Sequence, residues 1–151
     1  MKRKNKFFAI CMAALMGILP LDTSAGAMIF LSQDEYEYYV DLMSHLIVGE
    51  VEGCSRQMKE YVGSVVLNRV ESPKFPESIE GVIFQEGQYS CTWDGNFQKS
   101  PSKEDIEVAK DLLLNGSKLP KDVLYQAEFT RGPVYISLTA PNGVTEYFCY
   151  G

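Results

Sequence analysis

Two helical periodicities meet at one short acidic turn, and that junction constrains the fold more than any other feature of the chain. Ahead of it Tyr36, Tyr39, Val40, Met43, Leu46 and Ile47 recur at helical spacing. Behind it Met58, Tyr61, Val62, Val65, Val66 and Val70 make one continuous apolar stripe. Between them stands Gly49-Glu50-Val51-Glu52-Gly53-Cys54-Ser55. The spacing predicts a first helix from about Gln33 to about Val48, opened by a Ser32–Glu35 capping box. It predicts a second helix capped by Ser55, with Gly49 and Gly53 forming the turn between the two.

Glu50 follows an apolar helical segment directly. A carboxyl held among apolar neighbours is disfavoured as an anion, so its pKa rises. It then stays protonated near neutrality and can act as a general acid, the proton donor that glycosidic cleavage requires. The competing reading is a surface charge near a helix end, and the local pattern alone favours it. A conventional glycosidase needs a second carboxyl, about 5–5.5 Å away for retention or roughly 6.5–9.5 Å for inversion. Glu52 and Asp94 are the candidates, but Glu52 does not share a face with Glu50.

Downstream, Ser72-Pro73-Lys74-Phe75-Pro76 ends the second helix and starts a rigid loop. A short helix is expected over Ser78 to Gln85, and a structured loop rich in Gly, Ser, Asn and aromatics over Glu86 to Pro101. Pro101-Ser102 opens another helix, with Ile106, Ala109, Leu112 and Leu113 on its apolar face and Asn115-Gly116 as its stop. After Pro120 the period changes. Val123–Tyr125, Val134–Ile136 and Glu146–Cys149 read as strands, with turns at Gly132-Pro133 and Pro141-Asn142-Gly143. The expected class is α+β: a mainly helical single domain with a small antiparallel β-sheet at its C-terminal end.

Residues 1–27 read as a secretory signal peptide. Lys2, Arg3, Lys4 and Lys6 form its basic start, Phe7 to Leu21 its apolar stretch, and Ala25-Gly26-Ala27 its cleavage site. A mature chain from Met28 to Gly151 is therefore expected, secreted and with no membrane association after cleavage. Removing the leader takes four of 14 basic residues and Asp22 of 20 acidic ones, which leaves ten against nineteen. Such a surface argues against nucleic acid or anionic membrane as partner. Export makes a disulfide plausible among Cys54, Cys91 and Cys149, with Cys54–Cys91 the preferred pair. Three small buried hydrophobes are the equal alternative. The sole histidine, His45, cannot build a zinc site without further ligands. No metal or cofactor is expected, and His45 is read as a packed or surface side chain.

With these residues placed, the chain resembles the cell-wall hydrolase family of spore cortex-lytic enzymes (SleB-type). Four blocks carry the likeness: Gly49-Glu50 with Gly53; Val65-Val66-Leu67-Asn68-Arg69-Val70; Ser72 to Ile83 leading into Gly87-Gln88-Tyr89-Ser90 and Asp94-Gly95; and the weaker ending Thr145-Glu146-Tyr147-Phe148. The resemblance implies a lysozyme-like fold, cleavage of the MurNAc–GlcNAc glycan backbone of peptidoglycan, and Glu50 as the catalytic glutamate. It further implies lytic transglycosylation, in which the sugar's own hydroxyl closes an anhydro ring. Two positions depart from the family. Many members carry a second acidic residue where Cys54 stands and a histidine where Glu146 falls.

The candidate substrate-binding residues are Gln88, Tyr89, Ser90, Tyr125 and Gln126, since amides, rings and hydroxyls suit sugars. For the first three, loop packing is an equal reading. Trp93, the only tryptophan, reads as a core or rim anchor. Asn68 and Arg69 are read mainly as structural, bonding the loop after the second helix. The partner expected is the peptidoglycan strand, met by a monomer. The alternatives are a non-catalytic peptidoglycan-binding protein that kept the fold and, less favoured, a cysteine peptidase or amidase pairing a thiol with His45.

Overall fold

The computed structural model describes residues 32–151 of the chain. The signal peptide and the expected start at Met28 lie outside the described residues. In chain order the elements are α1 (Gln33–Val51), α2 (Arg56–Glu71), α3 (Ile79–Ile83), α4 (Cys91–Asp94), a 3-10 turn (Asn96–Gln98), α5 (Lys103–Asn115), β1 (Val123–Ala127), β2 (Val134–Thr139) and β3 (Thr145–Tyr150). The α+β class, with a small antiparallel sheet at the C-terminal end, is observed.

α1 runs three residues further than its glycine suggests, so Glu50 sits in the last helical turn. Gly49 does not make the turn. It allows α4 to approach: a Cβ there would lie 2.8 Å from Cys91 Cβ and 3.0 Å from its Sγ. The turn belongs to Gly53, at φ +72°, a conformation that favours glycine. Ser55 then caps α2 by accepting from the Met58 amide at 3.3 Å.

The core forms where α1, α2 and α5 meet. Met43, Leu46, Ile47, Val62, Val65, Val66, Leu112 and Leu113 are fully buried there. Each such side chain contributes about 1.5–3 kcal/mol relative to exposure. Gly63 permits this packing, because a Cβ would strike Leu112 Cδ1 and crowd Met43 Cε at 3.1 Å. The Ser32 hydroxyl accepts from the Glu35 amide, and a complete reciprocal capping box forms at Ser102 and Asp105 of α5. Asp105 also meets Lys59 Nζ at 3.0 Å and Glu104 meets it at 2.6 Å, so a buried cation joins α2 to the start of α5.

The sheet order is β1-β3-β2, antiparallel throughout, and Phe148 on the central strand packs edge-on against Tyr61 of α2. Asn68 and Arg69 are structural, but their partner is not the loop after α2. Asn68 Nδ2 donates to the carbonyls of Pro120 (2.8 Å) and Val123 (3.0 Å), and Arg69 Nε donates to Leu124 O (2.8 Å). These bonds fix β1 against α2, since the backbone groups at the start of a strand need partners the sheet does not supply.

Cys54, Cys91 and Cys149 are free thiols, which overturns the expected Cys54–Cys91 disulfide. Cys91 is buried against Gly49 with its thiol on Glu50, while Cys54 lies half-buried beyond the Gly53 turn, near Lys59 and Glu146. Cys149 behaves as a small buried hydrophobe.

Candidate active site

Glu50 is half-buried at the wall of a cleft of about 240 Å³. α1 supplies Glu50, and the 87–93 segment supplies Gly87, Gln88, Tyr89, Ser90 and Trp93. α2 supplies Arg69, and the sheet side supplies Gln126, Ala127, Glu128, Arg131 and Glu146. A smaller pocket of about 130 Å³ adjoins it across Glu50, Glu128 and Glu146, and continues past Cys54, Met58 and Asn142. Glu50, Glu128 and Glu146 thus line both pockets.

Cys91 positions that carboxyl: its amide donates to Glu50 Oε1 at 3.3 Å, and its thiol bonds it too. Burial pushes the Glu50 carboxyl above the usual carboxylate range. The Cys91 thiol and amide pull it part of the way back, and the charge of Asp94 raises it again. Glu146, entering from β3, is also raised, first by burial and then by the negative charges of Glu128 and Glu50. Glu52 lines the adjoining pocket too, and its carboxylate pairs with Lys99 Nζ at 2.7 Å. Asp94 is exposed and accepts from the Asn96 amide at 2.8 Å.

Of the residues expected to meet sugar, Gln88, Tyr89, Ser90 and Gln126 line this cleft. Tyr89 does so from below. It is buried, with burial holding its hydroxyl up to about 12, and its ring stands 5.3 Å from the Arg69 guanidinium. Tyr125 is not among the cleft-lining residues; its ring packs against Phe75 at 6.2 Å. Consecutive strand residues face opposite sides of a sheet, so Gln126 and Tyr125 cannot both face the groove. Trp93 lies at the cleft rim with 61% of its surface exposed, which makes it available for stacking on a sugar face.

Sequence reasoning missed Glu128 and Arg131 as groove residues, because nothing in their local pattern marks them, and it assigned Arg69 to the scaffold alone. A thiol nucleophile finds no support here. Burial raises the thiols of Cys91 and Cys54, with Glu50 adding to the effect on Cys91. His45 engages Phe97 O through Nδ1 at 2.6 Å and sits 3.6 Å from Asp41. Among the described residues no His, Cys, Asp and Glu cluster could hold a metal ion. No described helix is long and apolar enough to cross a membrane.

Comparison with known proteins bears on the fold and the family. The chain is 30% identical over 86 residues to the spore cortex-lytic enzyme of Bacillus subtilis (strain 168), covering 57% of this chain and 28% of that protein. It therefore spans less than a third of the length of that curated relative. The fold matches the crystal structure of the catalytic domain of the Bacillus cereus SleB protein, with a TM-score of 0.59, 22% identity, and 75% of this chain and 90% of that one covered. It matches equally the catalytic domain of the germination-specific lytic transglycosylase SleB from Bacillus anthracis, at 0.59 and 21%, with 78% and 95% covered. The model of the Cell Wall Hydrolase family matches residues 53–142, beginning just after Glu50. That match covers more than half of the chain: the chain belongs to the cell wall hydrolase family.

Proposed function

We propose that this protein degrades peptidoglycan by cutting the MurNAc–GlcNAc glycan backbone, with Glu50 as both general acid and general base. The observation that carries the reading is a carboxyl raised by burial on the wall that two adjoining pockets share. In its neutral form Glu50 protonates the oxygen of the leaving sugar. The resulting carboxylate then takes the proton from the attacking hydroxyl. When that hydroxyl is the sugar's own, an anhydro ring closes and one carboxyl serves both steps. The similar Bacillus anthracis protein is a lytic transglycosylase, which supports this variant. Gln88, Ser90 and Gln126 would bond sugar hydroxyls and amides, Tyr89 would line the floor, and Trp93 would stack on a ring. The 28–151 segment would act as an exported monomer at the wall.

A second reading has its own observation. Glu146 and Glu128 share the groove with Glu50, so a carboxylate is available to activate water and yield hydrolysis. Mass spectrometry of fragments released from purified sacculi separates the two. Anhydro ends are expected, reducing ends would assign hydrolysis, and binding without soluble fragments would sink the enzymatic reading.

A further inference from the structure

Charge is spread along most of this chain but is missing from its last hairpin. From Gly132 to Thr145 there is no charged side chain, although Asp, Glu, Lys and Arg make up 23% of the sequence. That stretch holds all of β2 and the turn into β3. Val134 and Tyr135 keep 42% and 41% of their surface, and Ser137 and Thr139 are exposed as well. Exposed strands at a sheet edge usually carry charges that ward off other chains. A neutral, exposed hairpin on an acidic protein therefore calls for an account of what meets it.

The register separates the two faces of the sheet. Gln126 and Ile136 both pair with Phe148, and Leu138 pairs with Glu146. Phe148 is buried, and Gln126 and Glu146 line the cleft, so this face is turned inward. Side chains alternate along a strand, so Ala127, Tyr147 and Ser137, then Thr145 and Thr139, form the opposite face. That face carries a ring and four hydroxyls with no charge among them. The Ser137 and Tyr147 hydroxyls have no protein partner among the described residues.

The edge of β2 is closed to another strand. Pro133 stands just before it, and its register with β3 is irregular between Val134 and Ile136, two devices that block strand addition. A second copy is opposed by charge, since ten basic residues stand against nineteen acidic ones over residues 32–151. A polyanion meets the same repulsion. A neutral polysaccharide meets neither obstacle. Its hydroxyls donate and accept, its ring faces stack on aromatic side chains, and no charge has to be desolvated beneath it. The face also borders the cleft. Ala140, Asn142 and Val144, in the turn that joins β2 to β3, line the pocket next to Glu50, and the Ala140 amide donates to Val144 O at 2.8 Å to close that turn. We propose that the outward face of the sheet, centred on Ser137 and Tyr147, docks a neutral glycan strand outside the cleft and holds the protein on the insoluble wall.

This inference rests on the peptidoglycan-degrading reading above, but its test does not depend on cleavage. Binding of the Glu50→Gln protein to purified sacculi is measured with and without Ser137→Glu or Tyr147→Ala. The same two variants, with Glu50 intact, are assayed for cleavage of soluble glycan fragments. Each should weaken sacculus binding about tenfold, the scale of one lost stacking contact. Cleavage of soluble fragments should stay within about twofold of wild type, as for ordinary surface substitutions. Sacculus binding should change little between about 0.1 and 1 M salt, because a neutral contact is not screened. Ser137 is exposed, so Ser137→Glu carries the test should Tyr147→Ala misfold. Unchanged sacculus binding in both variants would overturn the docking face and leave the Glu50 reading standing. So would binding that collapses in salt, soluble cleavage that falls as far as binding, or a dimer that Ser137→Glu dissociates. Loss of sacculus binding in the variants, with a wild-type protein that cuts neither substrate, would uphold the face and overturn the enzymatic reading.

Discussion

The Cys91 amide reaches the Glu50 carboxylate because residue 49 has no side chain. Gly49 and Cys91 lie so close that a Cβ on the glycine would stand 2.8 Å from Cys91 Cβ. Gly49→Ala should therefore displace the start of α4 and weaken the 3.3 Å bond. Alanine favours the helix by about 1 kcal/mol, so the stability loss is partly offset. Activity should fall more than stability, about tenfold or more in kcat. The Glu50 carboxyl should titrate higher than in the wild-type protein, since one of its anion-stabilising bonds is lost. Carboxyl chemical shifts against pH, alongside thermal melts, check both parts.

Glu146 gives a stability prediction with a definite sign. Its pKa is raised above the ordinary value of 4.5, first by burial and then by Glu128 and Glu50. The folded state thus holds its proton more tightly than the unfolded state. That linkage costs stability as pH rises above the unfolded value. Glu146→Gln should raise the melting temperature at pH 7 and change it little near pH 4. A melt that falls at pH 7 would show that the carboxylate has an attractive partner.

The Lys59 cluster should behave in the opposite way. For Asp105, burial alone would raise the pKa, but bonds from Ser102 and Lys59 hold it below 3.8. Its contribution is present above that value and is lost as pH falls through the folded one. For Lys59, burial alone would lower the pKa, but bonds to Glu104 and Asp105 hold it above 10.5. Its contribution is present below 10.5 and is lost as pH rises through the folded value. Lys59→Ala should cost about 3–5 kcal/mol at neutral pH, because the Asp105 side chain is nearly fully buried and would be left without its cation. Urea denaturation should show that cost shrinking once Asp105 takes up a proton.

Asn68→Ala should cost about 2–4 kcal/mol, since it leaves the carbonyls of Pro120 and Val123 without their shared donor. The loss should fall on β1, so amide exchange should accelerate at residues 123–127 before it does in α1. Uniform acceleration across the chain would contradict the docking role given to this side chain.

Much of this fold is legible in the sequence because its helices carry long apolar stripes with serine caps, and the short strands after Pro120 are bounded by Gly, Pro and Asn turns. Ser55, Ser78 and Ser102 each cap the helix expected of them. The differences between expectation and structure share one cause: they concern contacts between segments distant in sequence. Gly49 reads locally as a helix breaker, and its reason, the approach of Cys91, lies 42 residues away. The expected Cys54–Cys91 pairing rests on both residues flanking the groove, and local sequence carries no sign of the thiol facing Glu50. Asn68 and Arg69 read as bonding a neighbouring loop, whereas their partners lie more than fifty residues on. The groove is partly legible for the same reason. Gln88, Tyr89 and Ser90 are contiguous, but Arg69, Glu128, Arg131 and Glu146 converge only through the sheet's attachment to α2.

The central claim is that one carboxyl, on Glu50, does the chemistry. It is tested most directly by release of soluble fragments from purified sacculi by Glu50→Gln, with circular dichroism confirming the fold. The variant should fold as well as the wild-type protein, bind the wall, and lose about a hundredfold to ten thousandfold in rate. Cleavage at the wild-type rate by the folded variant would contradict the claim.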